Sequence, residues 1–531
     1  MVDKIGPDPG FPDAGSGRGG KRILEHISWV AVLTLGVKAA GFVEKMALAY
    51  YFGTSKEMDA FWIAQSVPMM AFLACGAVVG PTILPMFVRR GSEGDRAGAW
   101  GQLKTWMAAF ATVLVVCSAV VLFLSDTIVG FLAPGFDASL RHRCTSMLWW
   151  LLPSIVLLGL LPLWISVLNA EKRFAVPPVA QVFLKAVPLV AIVLFAARIG
   201  MTSALVGFVI ASLCAFLICL YHLRRSWPKR GGPIDFSDPD FRKILILMAA
   251  PAVGIFFSQL GTIVENRACS QLGGGTISAF QFARKLTNFP LLIVPFATGT
   301  VLYTYFAQAA HRKDPETATR LLTVGVRFML FLFIPLALLT VLFASPVVSI
   351  VYERGSFDSD SRRVVATALA WLAPTMIFFA VETLIMRHFY SRADLWAPTY
   401  IGIACVILRV ALIWTTVKRL GLVGIAFSIL LSRLCKLLLL FALTSRRARL
   451  PVGRFEPLEA VKILVAAAAA GVFVKMPFLH LVWNGSFSSG RTIGLLAAAA
   501  GSFTVVYLAA AFVLSSQECR TLLNGLRGWR R

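Results

Sequence analysis

The sequence predicts an all-α polytopic membrane protein of about fourteen transmembrane helices, arranged as two six-helix lobes in parallel pseudo-twofold repeat plus two C-terminal helices. Three observations predict it. The first is composition: of 531 residues, 58% are hydrophobic and only 15% are charged, where a soluble domain carries about 25% charged residues. The second is spacing. Fourteen windows of low charge centre near residues 38, 74, 111, 157, 187, 212, 255, 292, 337, 375, 407, 433, 468 and 503, each about the 20 residues needed to cross a hydrocarbon core. The third is an internal repeat at a constant offset of 221 residues. Trp150-Leu151-x-Pro153 returns as Trp371-Leu372-x-Pro374, Phe136-Asp137 as Phe357-Asp358, Pro177 as Pro398, and Arg198-x-Gly200 as Arg419-x-Gly421. Nearer the start of each copy, Ala60-Phe61-x-x-Ala64 matches Ala279-Phe280-x-x-Ala283 at offset 219.

Taken in order, residues 1–22 are Gly-, Pro- and Asp-rich at their start and read as a disordered cytoplasmic tail. Residues 23–225 form the first lobe, helices 1 to 6, and its first span serves as the targeting signal. Residues 226–240, with Pro228, Gly231, Gly232 and Pro233, form a cytoplasmic linker, and residues 241–446 form the second lobe, helices 7 to 12. Residues 447–518 add helices 13 and 14, which have no repeat partner, and 519–531 form a basic cytoplasmic tail. Six spans per copy is an even number, so both copies enter the membrane in the same direction. That places a pseudo-twofold axis along the membrane normal, with a cavity facing both lobes, the arrangement of many secondary transporters.

The net charge of +25 raises nucleic-acid binding, and its distribution argues against it. Lys and Arg gather in alternate loops: Arg89, Arg90 and Arg96; Lys172-Arg173; Arg224, Arg225, Lys229 and Arg230; Arg312-Lys313; Arg392; and Arg446, Arg447 and Arg449. This is the positive-inside pattern, with both termini cytoplasmic, and it gives a face that favours anionic lipid headgroups. The nine cysteines show no CxxC or Cys/His ligand spacing, so neither a disulfide framework nor a metal site is expected. No P-loop, HExxH or nucleophile elbow is present, and no cofactor is expected. The outside loops contain Asp137 and Asp358 near short-helix starts, which suits the helix dipole better than catalysis.

Ionisable groups within spans are costly and usually line a pathway. The first span holds Lys38, Glu44 and Lys45; Asp59 opens the second; Glu265 and Arg267 end the seventh; Arg284 and Lys285 lie in the eighth. Glu382 and Arg387 lie in the tenth span, Arg409 in the eleventh, Arg433 and Lys436 in the twelfth. Lys185, Lys285, Arg327, Arg387 and Lys436 are expected to snorkel to an interface. Lys38 and Arg284 lie deep in their windows, and the excess of cations points to an anionic substrate such as phosphate. Gly76, Gly80-Pro81 and Pro85 in the second window, and Pro290 with Pro295 in the eighth, predict broken helices at matched places in the two copies.

With these residues in hand, the chain resembles the MurJ/MviN family of lipid II flippases, within the larger group that includes multidrug exporters and polysaccharide translocases. The likeness covers roughly residues 30–450. It is carried by Gly41-Phe42, Phe52-Gly53 and Asp59-Ala60-Phe61, by Ala74 to Ala77 with Pro85, by Ala133 to Phe136, and by Leu168-Asn169 with Arg173 to Pro177. In the second half it is carried by Phe282-Ala283-Arg284 with Leu286 and Pro290, by Glu353-Arg354-Gly355-x-Phe357, and by Phe389-Tyr390 with Pro398. The chain departs from the family at Glu44-Lys45, where the family has Arg-Asp, at Met70-Ala71, where it has paired arginines, and at Cys75, where it has an acid.

The resemblance implies a flippase for a polyprenyl-diphosphate-linked saccharide in the bacterial cytoplasmic membrane. Lys38, Lys45, Arg284 and Arg267 would meet the diphosphate, while Glu44 and Asp59 would form gating ion pairs, Glu44 with Arg267 or Arg284. The drive would be a coupling ion or the membrane potential; the chain would act as a monomer, with cell-wall or polysaccharide synthases as partners. An exopolysaccharide or O-antigen precursor translocase, a cation-coupled drug exporter using Glu265 and Glu382, and a lipid-processing enzyme are the other readings.

Overall fold

The computed structural model describes residues 17–224, 227, 232–292, 294–312, 314–392, 394, 396–448, 457–483 and 490–514. In the first copy of the repeat the α-helices are α1 (Gly17–Phe52), α2 (Lys56–Ser92), α3 (Arg96–Phe123), α4 (Ser125–Leu132), α5 (Ala138–Ala170), α6 (Val176–Ile199) and α7 (Thr202–Arg224). The second copy has α8 (Pro239–Ser270), α9 (Thr276–Asn288), a 3-10 turn at Pro290–Leu292, α10 (Val294–His311), α11 (Pro315–Leu342), α12 (Ala344–Tyr352), α13 (Ser359–Leu372), α14 (Thr375–Ser391) and α15 (Trp396–Ala448). Helices α16 (Pro457–Trp483) and α17 (Gly490–Val513) follow. All-helical structure is what a chain in hydrocarbon requires, since each backbone donor and acceptor must be satisfied within its own segment.

Each of the fourteen windows falls on helix. Among the described residues nine helices are long and apolar enough to cross a membrane, and the bent pair α13–α14 makes ten. The ion-bearing α1 and the broken α9–α10 pair are among the windows that length and hydropathy alone miss. Helix α1 starts at Gly17, inside the stretch expected to be disordered; residues 1–16 and the basic tail 519–531 lie outside the described residues.

The repeat is visible element for element. At offset 219, α1, α2 and α3 correspond to α8, to α9 with α10, and to α11; at offset 221, α5 corresponds to α13 with α14, and α6 and α7 to the two limbs of α15. The last match is exact at the turn. Gly200 has φ 56 and ψ −138, and Gly421, its counterpart, has φ 56 and ψ −132, a left-handed conformation that costs glycine little. The chain folds back there: Thr416 Oγ1 lies 3.0 Å from Ser428 Oγ and donates to the Gly424 carbonyl at 3.1 Å. Residues so far apart in sequence would be about 18 Å apart along one straight helix.

The copies differ in continuity. Helix α2 runs unbroken through Gly76, Gly80, Pro81 and Pro85, so the break expected in the second window is absent. Neighbouring turns and packing partners let a membrane helix keep proline in its interior. Its counterpart is broken as expected, α9 ending at Asn288 and α10 starting at Val294. Likewise α5 is continuous through Pro153 and Pro162, whereas α13 and α14 meet at Pro374 with a 43° bend. Thr375 Oγ1 donates to the Leu372 carbonyl at 2.6 Å across that bend, replacing part of the interrupted ladder.

Contacts divide the chain into two compact units that cut across the repeat. The first takes Met1–Glu44, Ala71–Ala119 and Trp150–Ile246; the second takes Lys45–Met70, Val120–Trp149 and Leu247–Arg531. In the first, Trp100, Trp164, Leu158 and Leu161 are buried, with Trp227 of the linker 5.1 Å from the Trp100 ring. The linker is held to α3, where Asp235 N–H donates to Thr105 Oγ1 at 3.0 Å. Arg90 reaches Asp238 at 2.8 Å and Asp240 at 3.0 Å, joining the end of α2 to the start of α8.

In the second unit one core joins α10, α11, α14 and α15 through Phe306, Met329, Phe333, Met376, Leu384 and Leu440. Another seats α16 and α17 on α11, with Ala466, Ala467, Ala470 and Ala499 against Phe331 and Ile334. Small residues let membrane helices approach closely, and Tyr507 completes the contact by donating to the Phe331 carbonyl at 2.8 Å. Outward faces stay apolar, as at Val113, Val116, Val120, Ile246, Leu247 and Phe256.

Candidate functional site

The second unit holds two clusters that packing alone does not require. The first is a set of six ions. Glu265 on α8 is fully buried, and each of its carboxylate oxygens meets a different guanidinium: Arg284 of α9 at 2.9 Å and Arg409 of α15 at 2.8 Å. Gly261, one turn before Glu265, leaves the space that the Arg409 guanidinium fills; a Cβ there would overlap it. A second carboxylate, Glu382 of α14, meets Lys436 at 2.5 Å and Arg433 at 3.6 Å, both on the second limb of α15. Arg409 and Arg433 stand twelve residues before and twelve after Gly421. They therefore share one level of the hairpin, about 18 Å from its turn. Four cations face two anions, so the set keeps net positive charge at a depth where charge is expensive.

The second cluster closes one end of this unit, and here the repeat folds onto itself. Asp59, 1% exposed, accepts from the Gly275 N–H at 2.6 Å, the Ser278 N–H at 2.7 Å and the Ser278 hydroxyl at 2.5 Å. Its partner Ser278 is its own counterpart in the repeat. Asp59 was expected to gate through an ion pair; instead it caps the N-terminus of α9, where free amides and the helix dipole favour a carboxylate. The loops after α4 and α12 complete the closure reciprocally. The Gly135 N–H donates to Ser270 Oγ at the end of α8, at 3.3 Å. At the matched place, the Ser356 N–H donates to the Tyr50 carbonyl near the end of α1, at 2.8 Å. Arg143 with Glu57, and Lys56 with Asp137, form exposed ion pairs at the rim.

The remaining expected site residues are placed as follows. Lys45 is buried with its Nζ 4.8 Å from the Trp62 ring centre, and Lys285 Nζ is 5.8 Å from the same ring. Arg267 donates to the Phe131 carbonyl and lies over that residue's ring. In the first unit, Glu44 is buried 3.6 Å from Lys185 of α6, and half-buried Lys38 lies in the field of Lys185. Glu44 meets Lys185 within the first unit, and Arg284 meets Glu265 within the second. Two cations expected to snorkel, Lys185 and Lys436, instead meet carboxylates within spans, buried Glu44 and partly buried Glu382. Arg409, Arg433 and Lys436 stand out in sequence only as ions within spans; the cue to their grouping is their placement around Gly421.

A duplicated helical membrane bundle with an ion cluster among its spans is an architecture of secondary transporters. Solved structures share this fold. A lipid II flippase MurJ in an inward closed conformation superposes with TM-score 0.78, at 19% identity, over 93% of this chain and 99% of that chain. An inward-facing multidrug resistance MATE family transporter of the MOP superfamily gives 0.67 at 15% identity, covering 79% and 98%. The sequence model of the family described as lipid II flippase MurJ matches residues 48–492, and the chain belongs to that family. The lipid II flippase MurJ of Burkholderia cenocepacia is 24% identical over 91% of this chain and 96% of its own. A probable lipid II flippase MurJ of Rhizobium meliloti is 26% identical, over 92% and 94%.

Proposed function

We propose that this protein is a flippase carrying a polyprenyl-diphosphate-linked saccharide, lipid II foremost, across the bacterial cytoplasmic membrane by alternating access. The observation that carries the reading is the net-cationic ion set within the spans of the second copy, in a chain of this family. Arg284 supplies a planar donor fork suited to phosphate, and Lys38, Lys45 and Arg267 remain its proposed companions. The drug-exporter reading is weaker on physical grounds. It needs a carboxylate open to a proton or sodium ion, and Glu265 and Glu382 are each engaged by two cations. The drive is then the membrane potential or an ion bound elsewhere.

Both termini are proposed to be cytoplasmic, which puts the loops after α4 and α12 outside and makes the closed end of the second unit the outer one. Single cysteines at residues 358 and 420 would then react with an impermeant reagent from outside, and one at 312 would not; reaction at 312 reverses the orientation. The deciding experiment for function is replacement of an essential lipid II flippase by this gene. Growth is expected, and loss of growth with Arg284→Ala at normal membrane levels. Failure of the unaltered gene, with the protein present in the membrane, removes lipid II as the substrate. Anionic lipids at the basic face, synthase partners and a monomeric state belong to the same proposal.

A further inference from the structure

The six ions of the second copy have neutral counterparts in the first. Glu265 and Arg284 correspond to Met46 and Gln65; Glu382, Arg409, Arg433 and Lys436 correspond to Leu161, Pro188, Ser212 and Ala215. The same helices therefore form without any of these charges. The set is also organised as two like groups, Arg284–Glu265–Arg409 and Arg433–Glu382–Lys436, each one anion between two cations. The groups are neighbours along the α15 hairpin: Arg409 of one and Arg433 of the other stand twelve residues either side of the fold-back at Gly421. Each has net charge of one, and a diphosphate joining a lipid to a sugar carries one negative charge on each phosphate.

We propose that the two groups are paired seats, one for each phosphate, with Arg433 and Lys436 forming a second phosphate site beside the one that includes Arg284. Glu265 and Glu382 are positioning residues: each holds two cations side by side by offsetting their mutual repulsion. Carboxylate–cation pairs of this kind lower the cost of holding cations in the membrane while leaving a surplus for an anion. Arg284, Arg433 and Lys436 keep 26%, 30% and 23% of their side-chain surface outside their carboxylate pairs and packing, the part of each cation left over for a second anion. The arrangement distinguishes a diphosphate from a single phosphate, a selectivity that one seat cannot provide.

The proposal rests on the flippase reading, and the test separates the two. The full chain is purified in detergent, and binding is measured by native mass spectrometry. The probes are two synthetic lipids sharing one polyprenyl chain and one N-acetylglucosamine, linked through a diphosphate or through a single phosphate. The unaltered protein is expected to bind the diphosphate lipid about tenfold to a hundredfold more tightly, the worth of one further charge-assisted contact set. Replacing Glu382→Leu, Arg433→Ser and Lys436→Ala together installs the first copy's own residues. It is expected to bring the preference close to unity while single-phosphate binding persists. Should that variant fail to fold, Lys436→Ala alone leaves Glu382 with Arg433 and is expected to cut the preference about threefold to tenfold. An undiminished preference in either folded variant overturns the second seat and leaves the flippase reading intact. If the unaltered protein binds both lipids equally, the seats are likewise rejected. If it binds neither lipid, the flippase reading falls and the seats fall with it.

Discussion

The two copies of the repeat share a helix plan and differ in what interrupts it. In the first, α2 and α5 are single helices; in the second, their counterparts break between Asn288 and Val294 and bend by 43° at Pro374. The first copy holds neutral residues where the second holds six ions. Proline does not explain the bend, since Pro153 occupies the matched position within an unbroken α5. A local hydrogen bond does distinguish the sites: Thr375 takes the Leu372 carbonyl, whereas the hydroxyl of its counterpart Ser154 has no partner among the described residues. The first copy's helices form with other ions at other places, Glu44 beside Lys185 among them, so the breaks of the second copy and its six ions are not demanded by the shared helix plan.

This comparison can be broken by substitution. The largest effect is expected at Glu265. Glu265→Met gives the second copy the first copy's residue but leaves the partly buried Arg284 and Arg409 without their anion, and a loss of about 2–4 kcal/mol is expected. Removing the cations as well, with Arg284→Gln and Arg409→Leu, is expected to recover most of that stability. Thermal unfolding in detergent checks both, and equal instability of the single and triple variants would show that the fold itself depends on these ions.

Next is Asp59, the capping carboxylate. Asp59→Ala leaves the Gly275 and Ser278 amides without their acceptor, a cost of about 1–3 kcal/mol. It is expected to raise the reactivity of a cysteine placed at Ser278, while Asp59→Asn, which keeps an acceptor, gives a smaller rise. Unchanged labelling in the alanine variant would remove Asp59 from the closure.

A smaller effect is expected at Asp358, the N-cap of α13. The Ser361 N–H donates to its carboxylate at 2.8 Å, and with the Ser361 hydroxyl it holds the Asp358 carboxyl below the usual range. A carboxyl lowered in the folded state stabilises fully above its unfolded value, about 4, and loses that contribution as pH falls through the folded value. Asp358→Ala is thus expected to cost about 1 kcal/mol at neutral pH, and the difference from the unaltered protein should vanish in acid. A gap that persists well below pH 4 would place the effect elsewhere. The smallest change is expected for Thr375→Val, about 0.5–1 kcal/mol for one lost hydrogen bond, against none for Ser154→Ala. Equal losses at the two positions would erase the contrast between the copies.

The helical fold and the pairing of helices into two copies were legible because hydrophobic spacing and repeated motifs are properties of sequence. The partners of the ions were not. Glu44 finds Lys185 and Glu265 finds Arg409 across long stretches of chain, and a list of ions within spans gives no pairings. Asp59 was read as half of an ion pair because a carboxylate suggests a cation; the amides that it meets are backbone and carry no residue signature. Glycine and proline in α2 were read as breaks, yet the same residue types are continuous in one copy and interrupted in the other. Their effect depends on the neighbouring hydroxyls and packing.

The reciprocal clasp at the closed end has a kinetic consequence. Each copy's loop holds the other copy's first helix, Gly135 on Ser270 and Ser356 on Tyr50, so releasing either loop leaves the other still bound. Opening then requires two breaking events within one lifetime, and its rate falls off more steeply than the strength of either contact alone implies.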